Sequence, residues 1–245
     1  MPPSSWVVVA VVTLLFVGLG IWSVARHVAR RKAMLESLAG LGFRPCPEEN
    51  ESLEATIARI EDRSGSTYTV KDARRRRGDP PVYFFVKWRR STGDDLAVPE
   101  DELLFPVLRR TGAGVVLTLK PSALAHGRAT RLIQTIAKSR IGESSTDLAL
   151  LELPPRLRES NVLAALGPAG SKLEDLVPAA VLAVVKDFGD AGVLQVRFRD
   201  TWCAVSGIGM RIPFQVEALL LRIRPLLQAI EPLAPLQPAL ARVSS

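Results

Sequence analysis

Trp6-Val-Val-Val-Ala-Val-Val-Thr-Leu-Leu-Phe-Val-Gly-Leu-Gly-Ile-Trp-Ser-Val-Ala25 runs for 20 residues without one ionisable side chain. At about 1.5 Å rise per residue, a helix of that length covers roughly 30 Å, the thickness of a bilayer's hydrocarbon core. A helix satisfies its own backbone hydrogen bonds and so can cross lipid. Trp6 and Trp22 lie near the two ends, where indole rings favour the headgroup level. Thr13, Gly18, Gly20 and Ser23 are small enough to be tolerated in such a helix. A core helix of a soluble protein would carry a polar stripe, and this stretch has none. Ser23-Val24-Ala25 has the small-x-small form of a signal-peptide cleavage site. Against cleavage, the preceding Met-Pro-Pro-Ser-Ser contains no Lys or Arg, and the apolar run exceeds the usual length of about 7–15 residues.

The flanks orient the segment. No basic side chain precedes it; Arg26, Arg30, Arg31 and Lys32 follow, with His27 among them. The positive-inside rule keeps that side cytoplasmic, in the inner membrane of a bacterial cell, with residues 1–5 as a short segment outside.

Beyond the segment the composition is that of a folded domain. The 245 residues are 47% hydrophobic and 23% charged, with 32 Lys+Arg against 25 Asp+Glu for a net +7. This excludes a wholly disordered chain, and no collagen-like or heptad period occurs. Two cysteines exclude a disulfide framework or a cysteine-built zinc site.

Residues 26–47 read as a basic juxtamembrane helix and linker. Val28, Leu35 and Leu38 recur at helical spacing, Gly40-Leu-Gly42 ends the helix, and Arg44-Pro-Cys-Pro47 forms a rigid break before the domain. Residues 48–230 read as an α+β domain with a mainly antiparallel sheet and packed helices, its order hinting at two related halves, 48–141 and 146–230. Expected helices cover 52–60, 123–141, 156–166 and 213–230, the last kinked at Pro225. Expected strands cover 67–72, 82–90, 102–108, 115–120, 147–153 and 193–199, with 202–206 pairing back on the last; the run 173–188 fits a helix or a buried strand. Residues 231–245, with prolines at 232, 235 and 238, read as a loose tail.

Catalytic constellations are sparse. His27 belongs to the basic juxtamembrane stretch, and His126 has no carboxylate at i±4. Cys46 lies between prolines, and Cys203 in Trp202-Cys-Ala-Val reads as a small buried residue. Gly167-Pro-Ala-Gly-Ser-Lys172 lacks the spacing and preceding strand of a phosphate loop, and Thr111-Gly-Ala-Gly114 lacks the third glycine of a dinucleotide fingerprint. The carboxylate clusters Glu48-Glu49, Asp94-Asp95 and Glu100-Asp-Glu102 fall in loop-like contexts.

The basic run is the more informative feature. Lys71 to Arg90 holds eight Lys/Arg and two Asp, including Arg74-Arg-Arg-Arg77 and Lys87-Trp-Arg-Arg90. The candidate lipid-surface or anion contacts are therefore Arg26, Arg30, Arg31, Lys32, Arg74, Arg75, Arg76, Arg77, Lys87, Arg89 and Arg90. Anchoring at a membrane favours lipid headgroups over nucleic acid as their partner.

The sequence thus leads to a single-pass, membrane-anchored protein. Its cytoplasmic domain is a non-catalytic interaction or scaffolding module with a protein partner, no cofactor and no metal. One rival is a membrane-tethered enzyme with dispersed Arg, Asp and Ser and an anion site at a helix N-terminus near Ser171. The other is a domain exported by the same segment.

Overall fold

The structure is a computed structural model, and it describes residues 3–61, 65–91, 98–107, 114–120, 148–154, 157, 161–207 and 215–230. The chain divides between Gly42 and Phe43 into two compact units.

The first unit is one helix, α1 (Pro3–Gly40), 38 residues long and about 57 Å from end to end. Among the described residues it is the one helix long and apolar enough to cross a membrane, and its apolar stretch is wholly exposed. Thr13 Oγ1 donates to the Val9 carbonyl at 2.8 Å, so its hydroxyl adds no unsatisfied polar group to that stretch. The Arg26 guanidinium lies 5.0 Å from the Trp22 ring centroid, one turn away. The helix stops where the glycines predict. The Leu41 N–H donates to the Ser37 carbonyl and the Gly42 N–H to the Ala39 carbonyl, both at 3.0 Å, with Gly42 at φ +86°, the left-handed conformation that glycine adopts without strain.

The second unit is built on one antiparallel sheet. In chain order it contains β1 (Phe43–Pro45), a 3-10 turn (Pro47–Glu49), α2 (Asn50–Glu61), β2 (Ser66–Arg76), β3 (Val82–Ser91), β4 (Val98–Pro106), β5 (Val115–Leu119), β6 (Leu148–Leu151) and β7 (Val162–Pro168). There follow the one-turn α3 (Leu173–Leu176), α4 (Ala179–Val185), a 3-10 segment (Lys186–Ala191), β8 (Val193–Arg199), β9 (Trp202–Gly207) and α5 (Val216–Ile230). The strand order is β1-β2-β3-β4-β9-β8-β5-β7-β6. β4 pairs with β9 and β5 with β8, so strands from both expected halves share one sheet.

Both faces of the central strands are buried. On one, Leu53, Ile57 and Ile60 of α2 pack with Tyr68, Val70, Ala73, Tyr83, Phe85, Leu104 and Ala204. On the other, Phe84, Leu103, Phe105, Val196, Phe198, Cys203 and Val205 alternate with them and are equally buried. α4 packs on α5, whose Leu219, Ile223, Leu226 and Ile230 form its buried stripe. The helix continues through Pro225.

Three expectations are corrected. The domain starts at Phe43 rather than Glu48: Phe43–Pro45 pairs with Arg76, Arg75 and Arg74, so only part of 26–47 is helix and the rest joins the sheet. Residues 162–166, expected to be helical, form β7 between β5 and β6. Their Ala- and Leu-rich composition favours a helix locally, but pairing on both edges overrides it. Gly167, expected as a helix stop, is a strand position where a Cβ would lie 2.7 Å from side-chain atoms of both Leu151 and Leu176. Residues 173–188 are helical, broken at Val177-Pro178. The expected helix 123–141 and the tail 231–245 lie outside the described residues.

Two irregularities in β2 matter later. A bulge sits between Lys71 and Arg74, two residues facing one on β3, with Asp72 at φ +55°. On the outer edge, β1 covers residues 74–76, the Cys46 N–H donates to the Ala73 carbonyl at 3.0 Å, and the Val70 N–H donates to Glu54 Oε1 at 2.8 Å.

Gly189 tests the packing. A Cβ there would lie 2.6 Å from the Lys120 carbonyl oxygen, a backbone atom that cannot swing away. Gly189→Ala is expected to cost about 1–3 kcal/mol, read as a lowered denaturant midpoint at unchanged slope.

Candidate functional site

The sequence-selected cations do not form one site; the fold sorts them into three places. Arg26, Arg30, Arg31 and Lys32 lie on α1 within the first two to three turns after Trp22. Arg26, Arg30 and Lys32 are exposed, and Lys32 faces Glu36 across one turn at 4.0 Å.

The second place is the interior, and it corrects the reading of Lys87. That side chain is 1% exposed, so it is no lipid contact. Strand alternation puts Lys87 on the α2 side of the sheet, opposite Glu100 of β4. Its Nζ lies 2.5 Å from Glu61 Oε1, 2.6 Å from Glu102 Oε2 and 3.1 Å from Glu100 Oε2. Glu61, the last residue of α2, also accepts from Arg197 Nη1 at 2.7 Å. The same Nη1 donates to Ser206 Oγ at 3.4 Å, and Nη2 donates to Gln195 Oε1. Seven polar side chains from α2, β3, β4, β8 and β9 thus meet under the end of α2, with Glu102 Oε2 held by the charge of Lys87 but by no hydrogen bond.

The cluster holds three carboxylates against two cations. Burial alone would lower the Lys87 ammonium, but Glu102 and Glu61 overrule it and hold it above its ordinary range. The Arg197 guanidinium is held up in the same way, chiefly by Glu61 and Glu102 against burial. Burial pushes the Glu102 carboxyl up, against the pull of Lys87 and Arg197. The pairs of Glu61 with Lys87 and Arg197 clasp α2 to the sheet.

The third place is β2 and the adjoining turn. Arg75 is tied to the α2 side, 3.0 Å from Glu49 Oε1 and with its guanidinium 5.6 Å from the Tyr83 ring centroid. Arg89 lies on that same side, opposite Tyr68. Arg74, Arg76 and Arg90 lie on the other face, opposite Phe84, Val82 and Thr67. The bulge brings Lys71 to that face too, opposite Val86, with its Nζ 4.9 Å from the Trp88 ring centroid. Arg77 follows β2 and is exposed.

Neither thiol is set up as a nucleophile. Burial, reinforced by Glu49 and Glu48, pushes the Cys46 thiol up to about 11, and burial pushes Cys203 well above its ordinary range. The helix after Ser171 is a single turn, so the expected anion site at its N-terminus has no helix of adequate length behind it. Among the described residues no group of His, Cys, Asp and Glu could hold a metal ion. His126 lies outside them.

Sequence reasoning missed Glu61, Gln195, Arg197 and Ser206, and it placed Glu100-Asp-Glu102 in a loop where the structure has them buried on β4. A lysine inside the apolar run Val82–Trp88 and an arginine inside Val193–Phe198 were the available signals, since a central strand takes a cation only with partners.

Two outcomes follow. Lys87→Met leaves three buried carboxylates facing Arg197 alone and is expected to cost about 3–5 kcal/mol in chemical denaturation. The raised Glu102 carboxyl binds its proton more tightly folded than unfolded, so its contribution is full below the ordinary carboxyl range and is lost as pH rises through the raised value. Melting temperature against pH should therefore carry a decline above the carboxyl range that Glu102→Gln lacks; an equal decline in both proteins would reject this assignment.

No family model matches the chain, and no curated protein matches it. Among solved structures it is similar to the crystal structure of the mycobacterial trehalose monomycolate transport factor A, TtfA, with 14% identity and a TM-score of 0.47 over 84% of this chain and 95% of that one. The likeness is too distant to carry a shared activity.

Proposed function

We propose that this chain is a single-pass inner-membrane protein whose second unit faces the cytoplasm and serves as a non-catalytic interaction module. The observation that carries the reading is the exposed apolar surface of α1. Twelve large apolar side chains between Trp6 and Val24 are exposed. At about 2 kcal/mol each, leaving them in water would cost roughly 20–30 kcal/mol, more than a domain of this size has to spare. Lipid removes that cost without any further protein contact. Trp6 and Trp22 suit the two headgroup levels, and Arg26, Arg30, Arg31 and Lys32 suit the cytoplasmic one.

The second unit supports an interaction role through what its charges do. The buried ones are spent on holding α2, while exposed ones collect on one face of β2 and β3. The protein partner expected from the sequence would be one reachable from the inner face of the membrane.

Paired fusions test the reading. A C-terminal green fluorescent protein is expected to glow and a C-terminal alkaline phosphatase to stay inactive, with the chain retained in carbonate-washed membranes. Active phosphatase would establish export instead, and recovery in the soluble fraction would remove the anchor. Leu15→Arg, at the middle of the span, is expected to oppose insertion by about 3 kcal/mol, seen as a larger soluble or degraded fraction.

A further inference from the structure

The run Lys71–Arg90 looks like one basic segment in the sequence, but the fold divides it. Lys87 is clasped in the interior, Arg75 is tied to Glu49, and Arg89 lies on the α2 side. What remains on the opposite face is an exposed row along β2, namely Thr67, Thr69, Lys71 and Arg76, with Arg74 half-buried among them. Beside it on β3 lie exposed Arg90 and half-buried Trp88. Without the bulge at Asp72-Ala73, Lys71 would fall on the other side from Arg74 and Arg76. Four cations therefore share one strip with a tryptophan and two threonine hydroxyls. Among the described residues, acidic residues beside the strip include Asp72 at the bulge, exposed Asp79 in the β2–β3 connection, and Asp101, buried on β4. From Thr67 to Arg76 the row measures about 30 Å at roughly 3.3 Å per residue.

We propose that this strip docks on an anionic lipid surface. The inference rests on the membrane-anchored reading above and names the partner of the exposed charges. Three features favour headgroups. The strip lies on a pleated sheet rather than in a groove, and it presents long cationic side chains in one row, the shape a plane of phosphates accepts. Trp88, with Lys71 over its ring, is an amphipathic residue suited to the headgroup level. The chain is already tethered, so weak contacts suffice, because tethering raises the effective concentration of lipid. Each cation close to an anionic leaflet contributes a factor of about five, and four together on the order of several hundredfold.

The test uses the full chain in lipid nanodiscs. Cys46 and Cys203 are buried, so Thr69→Cys places a fluorophore selectively on the strip. Quenching by headgroup-attached quenchers is compared in pure phosphatidylcholine and in a mixture rich in phosphatidylglycerol. Quenching is expected to be severalfold stronger in the anionic bilayer and to fall with added salt, which screens exposed charges over about 10 Å at 0.1 M. It should drop to the neutral-bilayer level in Lys71→Gln/Arg74→Gln/Arg76→Gln/Arg90→Gln. The control Arg59→Gln/Lys172→Gln/Lys186→Gln/Arg224→Gln, with the same loss of charge away from the strip, should keep it. Circular dichroism and melting temperature confirm that both variants fold. Equal quenching in the two bilayers, or quenching unchanged by the strip variant, would overturn the proposal. So would a fluorophore that responds to polyglutamate but not to anionic lipid, which would assign the strip to an acidic protein instead. Nanodiscs expose both leaflets, so failure here leaves the anchor and its orientation standing. Failure of the fusions would remove the orientation without touching this result.

Discussion

A lysine ammonium closed off from water in the middle of a sheet constrains everything around it. Lys87 needs carboxylates on the α2 side of the sheet, and Glu100 and Glu102 supply two from the neighbouring strand while Glu61 brings the third from the end of α2. Glu61 also binds Arg197, which belongs to a strand three places away in the sheet. One carboxylate therefore ties the helix to both sides of the β4–β9 pairing, the seam between early and late strands. Apolar residues such as Ile57 and Phe85 supply burial in bulk, but they tolerate neighbours of similar size. The ion cluster does not, because a shifted helix would strand a charge in the interior.

The same alternation that buries Lys87 exposes its neighbours. Strand geometry sends successive side chains to opposite faces, so a contiguous run of cations splits between core and surface. The extra residue in β2 modifies this split and gathers Lys71 with Arg74 and Arg76. A single local irregularity thereby converts a diffuse positive charge into an oriented one. Exposed charges of this kind add little to a fold.

Much of this was readable from residue pattern. The apolar helix, its glycine stop, α2, the β2–β3 hairpin and the β8–β9 hairpin all declare their period within a short window. β1 did not, because three residues ending in proline carry no period and form a strand only by pairing with Arg74–Arg76. β7 did not, because Val162-Leu-Ala-Ala-Leu166 favours a helix until two neighbouring strands bind it. The ion cluster was hidden for another reason: Glu61 and Ser206 are distant in sequence, and nothing local says that they meet. The cation run was visible as charge, but its division between two faces depends on a bulge that composition does not announce.

The covering of β2's outer edge has a consequence for the membrane-anchored protein proposed above. Molecules held in a bilayer meet one another far more often than molecules in solution, and a bare strand rim is a template on which copies can polymerise. Here the rim is closed at three points by the chain's own groups, the carboxylate of Glu54 among them taking the Val70 N–H that a neighbouring strand would otherwise use. That acidic side chain removes one donor on which the strand of a second copy could pair.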